Sequence, residues 1–478
     1  HGHAISPGFV NMLSWATTSL IADGRAQSDI RQGVTLEVMG EGESMGPLNP
    51  EMKRLAAQRQ DDIRFPVSWT TLGEYLTMLE KKGIAPNVAS FVGATTVHVH
   101  EVGERDIDPT PKQLDRMRAL IRAAMNEGAL GVGSSLIYAP AAYAETPELI
   151  ALASESARCG GMYISHMRSE GDRIEAAVDE LIEIARKSGG PAEIYHMKMS
   201  GQPNWGKMDA IVGKIEAARQ AGIRITADMY NYTAGATGLD AAMPVWVQDG
   251  GLEAWIERLK TPAIRARVKA EMESDTGTWE NLLKRTGSPD KVLLLGFKNP
   301  KLKPLTGKTL GEVARLRGTS PEDTAMDLVI EDGSRVGTAY FLMDEANVKR
   351  QTALPWMSFG SDAGAPSAEG VFLLSNDHPR AYGNVARLLG HYVRDEKTTT
   401  LPDAIRRLTS FPASNLGIKQ RGLLKAGYFA DVVVFDPATI TDHSTYNKPA
   451  QYATGVNTVF VNGVQVLRDG EPTGAAAG

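Results

Sequence analysis

From Gly161 onwards the chain reads three times over as a short apolar strand followed by a helix. The apolar stretches lie in GMYISHMRSEGDR, PAEIYHMKMSG and IRITADMY. Ile174, Ala177, Val178, Leu181, Ile184 and Ala185 recur at helical spacing after the first, and Ile211, Ile215 and Ala218 do so after the second, with Gly222 as the stop. Apolar residues three and four apart mark amphipathic helices. Strand–helix–strand alternation requires a parallel sheet with helical crossovers, and such sheets gather functional side chains at the carboxyl ends of their strands. His166 and His196 both sit at such ends, at equivalent positions of consecutive strands. A lone histidine in an apolar strand is by default a hydrogen-bonded core residue. A matched pair points instead to a metal, because neutral imidazole is a common ligand for zinc and similar ions.

The remaining chain extends this alternation. FVNML, between Ile5 and Leu13, predicts a first strand, and GVTLEVM, Gly33 to Met39, a second. Glu41 follows in GEGES and reads either as a turn carboxylate or as a ligand. Thr71 and Glu74 form a capping-box signature for a helix ending at Gly83, and Val88 to Val92 predicts the third strand. In TTVHVHE the alternation places His98 and His100 on one face of a strand, as loop or edge residues rather than ligands. A helix is predicted over Leu114 to Met125, and ALGVGSS is the fourth strand. Tyr138 follows in LIYAP, and Thr146-Pro147 opens the next helix as N-cap and first-turn proline.

After Met229 the rhythm lapses. Helices such as Leu252 to Leu259, the strand VLLLGF and a helix opened by Ser320-Pro321 make residues 240–350 an excursion between the seventh and eighth strands. WMSFGSDAG is the eighth strand. Asp362 at its end closes a cycle of about eight strands and is placed to exchange a proton with water activated by a metal. Arg380, in NDHPRAYGNVARLLGHYVRD, offers a planar fork suited to a carboxylate. Beyond a helix from Leu401, GLLKAGYFADVVVFDP and TVFVNGVQV predict a small β unit with Asn462-Gly463 as its hairpin turn.

With 478 residues, 42% apolar and 23% charged, the chain has the composition of a soluble enzyme with a large core. A net charge of −6 without a basic stripe argues against nucleic acid, and no apolar run approaches the roughly 20 residues of a membrane span. The partner expected is a small-molecule substrate, the location cytoplasmic, and a homo-oligomeric state stays open. The single cysteine, Cys159, excludes an internal disulfide and reads as a packed structural thiol. HGHAISPGF looks like the middle of something, so an earlier segment is expected to precede it.

Together PGF at 7–9, QGVT at 32–35, ALGVGSSLIYAP, YISHMRSEGDR, YHMKMSG with NWGKM, DMYNY, GSDAG, HPRAYGNVARLLGHYVR and RGLLKAGYFADVVVFDP resemble the amidohydrolase superfamily, and within it the N-acyl-D-amino-acid deacylases. The resemblance spans essentially the whole chain. It implies an α/β fold, a TIM-like (β/α)8 barrel over residues 1–410, with 411–478 part of a small β-sandwich built from both chain ends. It implies that His166 and His196 bind metal, that Asp362 is the general acid and base, and that Tyr138, Lys198 and Arg380 clamp the amino acid's carboxylate. There are three departures. Leu13 and Trp15 stand where the family has a His-X-His pair, Glu41 aligns with its metal-binding cysteine, and strands expected before residue 1 are missing. One divalent metal ion, zinc, held by Glu41, His166 and His196 is therefore expected, without a second. The rival readings are a hydrolase of cyclic amides or another acylated compound, and a metal-free carboxylate-binding relative without activity.

Overall fold

The computed structural model describes residues 2–478. Parallel strands form where the alternation predicts them. The first is Phe9–Asn11, the second Val34–Met39, the fourth Gly131–Ser135, the fifth Met162–His166, the sixth Ala192–Ile194, the seventh Ile225–Met229 and the eighth Met357–Phe359. The third is broken at Phe91: Asn87–Ser90 pairs with the second strand, and Val92–Gly93 pairs with the fourth. Two parallel sheets result, one of strands one to three and one running in order from the second half of the third to the eighth. Together they fit a parallel-strand barrel core. Between the first and eighth strands, the Met12 N–H donates to the Phe359 carbonyl at 3.0 Å, the Asp362 N–H to Leu13 at 2.9 Å and the Trp15 N–H to Ala363 at 2.8 Å. Gly360 permits this approach, since a Cβ there would lie 2.6 Å from the Leu13 nitrogen.

Val10, Met12, Leu13, Leu36, Val38, Phe91, Ile164 and Tyr195 form an apolar cluster among these strands, so Leu13 is a core residue. Outside, the helices Pro111–Asn126, Thr146–Ala157, Ile174–Ser188 and Met208–Gln220 pack side by side in chain order. Their predicted apolar faces, including Ile174, Val178, Leu181, Ile211 and Ile215, are buried. The capping box is present. The Glu74 N–H donates to Thr71 Oγ1 at 3.1 Å, and the Thr71 N–H donates to the Glu74 carboxylate at 3.0 Å.

Four details differ from the sequence reading. The N-cap of the helix after Tyr138 is Glu145, and the Thr146 hydroxyl instead donates to Glu180 at 2.8 Å. The segment holding His98 and His100 is a helix, Ala94–Glu101, entered where the Thr95 N–H donates to the Gly42 carbonyl at 3.0 Å. Residues two apart in a helix point in opposed directions, so these histidines share no face. His98 is buried against Glu148 at 2.7 Å, while His100 pairs with its neighbour Glu101 at 3.1 Å. Cys159 is exposed in the turn that follows Ala157 rather than packed. The excursion, finally, carries a three-stranded antiparallel sheet of Ala234–Gly238, Gly337–Phe341 and Val292–Gly296, in that order. Only its last member had a strand signature.

The carboxyl-terminal strands Val432–Phe435, Val456–Val461, Val464–Arg468 and Glu471–Pro472 form an antiparallel sheet joined at its edge by Ala4–Pro7. Asn462 at φ 51° and Gly463 at φ 83° are both left-handed, as a two-residue type I′ hairpin requires. Among the described residues no helix is long and apolar enough to cross a membrane. Phe435 meets Phe9 edge-on with ring centres 6.0 Å apart, both rings fully buried, and so ties this sheet to the first parallel strand. Phe435→Ala is expected to cost about 3–5 kcal/mol through loss of burial and creation of a cavity, measured as a lowered midpoint in denaturant unfolding.

Candidate active site

Four residues singled out by sequence emerge from four strand ends on one face. Glu41 lies two residues beyond the second strand, His166 ends the fifth, His196 lies two beyond the sixth and Asp362 three beyond the eighth. Their side chains converge. Glu41 Oε1 is 2.7 Å from His196 Nε2 and 3.3 Å from His166 Nδ1, and the two imidazole rings stand nearly perpendicular with centres 4.5 Å apart. Ligand atoms of Glu41, His166 and His196 all lie within 4.8 Å of one another, and all three residues are buried. A buried nitrogen, Nε2 of His166, has no hydrogen-bond partner. Two imidazoles and one carboxylate around a common point match the donor set of a catalytic zinc site, with a fourth position left open. The residues fit one divalent ion.

The second oxygen of Glu41 is committed elsewhere. The Trp15 indole N–H donates to Glu41 Oε2 at 2.9 Å and to Asp362 Oδ1 at 3.1 Å. In the sequence Trp15 figured only as a replacement for a family histidine, whereas here its single N–H joins two carboxylates. Two of the site residues are also held in left-handed backbone geometry, His196 at φ 34° and Asp362 at φ 51°. Histidine and aspartate are among the residues that tolerate this region, at a cost of order 1–3 kcal/mol. Tertiary contacts impose it. The His196 N–H donates to Asp228 Oδ1 at 2.7 Å, and the Asp362 N–H to the Leu13 carbonyl.

Charge explains how so many ionisable groups coexist without water. Burial opposes ionisation of Glu41, but His196 and His166 outweigh it and hold its carboxyl well below the usual range. Burial and the neighbouring Lys198 disfavour a charge on His196, yet Glu170 and Glu41 raise its pKa well above that of free imidazole. His166 is pushed down, chiefly by burial. Burial lifts Asp362 to about 6, with Glu41 adding and Arg380 opposing.

Glu170 was not anticipated. It lies 2.8 Å from His196 Nδ1, 2.7 Å from Lys198 Nζ and 3.7 Å from His166 Nε2. A carboxylate behind a ligating imidazole fixes which ring nitrogen faces the metal. The only available signal was its place four residues after His166 in SHMRSE, and a loop glutamate beside glycine ordinarily reads as solvated. Despite burial its carboxyl is held far below normal, Lys198 being the main cause. Arg380 reaches Asp362 Oδ2 at 3.1 Å and the Ala236 carbonyl at 3.3 Å, and lies 4.3 Å over the Tyr230 ring. Its buried Nε and Nη1 have no acceptor. Tyr138 packs on His166 with ring centres 5.3 Å apart, and Arg335, also unanticipated, lies 5.3 Å over the Tyr138 ring. All seven predicted site residues are therefore linked in one constellation.

Residues 1–467 match the pattern of the Amidohydrolase family. The chain belongs to that family. This amidohydrolase is thus a hydrolase of carbon–nitrogen bonds other than peptide bonds. It is 33% identical to a D-aminoacylase of Alcaligenes xylosoxydans xylosoxydans, over 100% of this chain and 87% of the relative. An N-acyl-D-glutamate deacylase of the same organism is 29% identical over 99% of this chain and 85% of the relative. A crystal structure of D-aminoacylase superposes with a TM-score of 0.81 at 31% identity, covering 100% of this chain and 89% of the other. The zinc- and phosphonate-bound N-acyl-D-glutamate deacylase of Bordetella bronchiseptica gives 0.78 at 28%, covering 100% and 90%.

In this amidohydrolase Glu170→Ala leaves Lys198 buried without its counter-charge. Breaking a buried ion pair from one side costs about 3–5 kcal/mol. The expected result is a lower unfolding midpoint in metal-free protein, with Glu170→Ala, Lys198→Met recovering much of the loss.

Proposed function

We propose that this amidohydrolase deacylates N-acyl-D-amino acids, releasing a D-amino acid and a carboxylate. The proposed framework is a closed TIM-like (β/α)8 barrel over residues 1–410, with the 240–350 excursion between its last two strands and 411–478 in a small β-sandwich unit. The observation that carries the reading is the juxtaposition of three converging ligand groups with Asp362 and with Arg380, two of whose buried N–H groups lack acceptors. Relatives named for the same reaction support it. A likeness to D-hydantoinase at 13% identity speaks to fold alone and does not favour a cyclic amide.

A divalent ion, proposed as zinc, held by Glu41, His166 and His196 would polarise the scissile carbonyl and lower the pKa of water. The rest is the work of the chain. Arg380, Lys198 and Tyr138 orient the substrate carboxylate, which fills the unused donors of Arg380. Asp362, ionised above about pH 6, accepts the proton of the attacking water and passes it to the leaving amine. Glu170 and Lys198, 2.8 and 2.7 Å from His196 Nδ1, hold the ring so that Nε2 faces Glu41. The Trp15 N–H holds Asp362 Oδ1 beside Glu41 and so fixes the base relative to the carbonyl.

Assays with both enantiomers of an N-acyl amino acid test this reading. Hydrolysis of the D form with little of the L form is expected, and Asp362→Asn should cut kcat by roughly a hundred- to ten-thousand-fold while metal content stays near normal. Preference for the L form, or for cyclic imides, would reject it.

Metal analysis tests the count. The D-aminoacylase studied by structure has a binuclear centre with one-metal activation and second-metal attenuation. Here Leu13 lies in the core and the Trp15 N–H occupies the space between Glu41 and Asp362. One tightly bound equivalent per chain is expected even in excess zinc, with Glu41→Ala or His196→Ala removing both metal and activity. Two equivalents would overturn the assignment.

A further inference from the structure

A cavity of about 590 Å3 opens beside the site, larger than an acetyl group requires and in the range of pockets that enclose whole small ligands. Its walls come from the segments after the first, second, third and eighth strands, the same segments that carry Trp15, Glu41 and Asp362. Glu43, two residues past Glu41, lines it, as do Thr18, Thr96 and Asp377. Met45, Leu48, Met52, Phe65, Trp69 and Phe372 are among its apolar lining residues, with Phe65 stacked on Trp69 at 6.0 Å. None of the residues after the sixth and seventh strands lines it; there Lys198 and Arg380 lie 5.3 and 4.3 Å over the Tyr230 ring. A substrate whose carboxylate reaches these cations and whose carbonyl lies at Glu41, His166 and His196 points its acyl group towards the cavity.

We infer that this cavity is the acyl subsite and that it is built for a long, uncharged, apolar acyl chain rather than for acetyl. The inference rests on the deacylase reading and goes beyond it by naming the acyl class. The polar lining sets the sign of what is refused. Arg59 is spent on Glu104 at 2.6 Å and Lys303 on Asp62 at 3.0 Å. Glu43, Asp61 and Asp377 also line the cavity and have no ion-pair partner within it. An acyl chain ending in a second carboxylate finds acidic side chains and no uncommitted cation there, whereas a hydrocarbon chain meets methionine, leucine and aromatic side chains.

The test compares N-acetyl, N-butanoyl, N-hexanoyl, N-decanoyl and N-succinyl derivatives of one D-amino acid, using metal-loaded enzyme. Each buried methylene is expected to raise kcat/KM roughly fourfold until the chain fills the cavity, with the succinyl derivative poorest among chains of its length. Ala56, exposed on the helix Pro50–Gln58, lines the cavity without belonging to the core. Ala56→Trp should therefore fold normally, as checked by its melting curve, lower kcat/KM for the decanoyl substrate at least tenfold and leave the acetyl substrate within twofold. Calorimetric binding of decanoate, the corresponding product, should weaken in parallel. Turnover of the acetyl substrate with no gain from longer chains overturns the subsite alone. So does an Ala56→Trp effect that follows the amino acid's side chain instead of acyl length. Failure to hydrolyse any N-acyl-D-amino acid overturns the deacylase reading itself.

Discussion

The site depends on the way the Glu41 carboxylate is divided. One oxygen faces His166 and His196, and the other accepts the Trp15 N–H that also reaches Asp362. Five strand ends, Asp362 through Trp15, are thereby joined by a single side chain only two residues beyond its own strand. A shorter aspartate could not span the two directions from the same backbone position, and a glutamine would place an N–H where a ligand lone pair is required. Charge balance in the surrounding shell follows from this division: Glu170 and Glu41 flank His196, Lys198 compensates Glu170, and Arg380 compensates Asp362.

Covalent neighbours on the chain explain why this division is rigid. The eighth strand approaches the first through Gly360, set against Leu13, and the Asn11 side chain donates to both Glu37 of the second strand and Ser361 after the eighth, at 3.0 and 2.8 Å. These polar contacts lie directly below the site. They fix where Glu41 and Asp362 leave their strands before either side chain is considered.

Much of this was legible without coordinates because the decisive residues end apolar strands of regular spacing. His166 and His196 announce themselves by ending MYISH and EIYH, and Asp362 by following the last strand. What escaped notice has physical causes. His98 and His100 alternate over too few residues to separate strand from helix, and the contact of Thr95 with Gly42, which starts the helix, is non-local. The strands Ala234–Gly238 and Gly337–Phe341 are short, with the first made only of small residues, so neither carries a period of two that can be recognised. Glu170 and Arg335 act through partners far away in sequence. The indole of Trp15 could be weighed as volume from its identity, but the direction of its N–H is a property of the assembled strands.

The left-handed backbones of His196 and Asp362 bear on the history of the chain. Glycine or asparagine would occupy either position with less strain, and substitutions of that kind are a common route to added stability. Mutation under selection for folding alone drifts towards such relief within a lineage. A chain with an imidazole and a carboxylate at two conformationally costly site positions gives up stability where its ligand and its base stand, and in that respect looks unlike a passive binding scaffold.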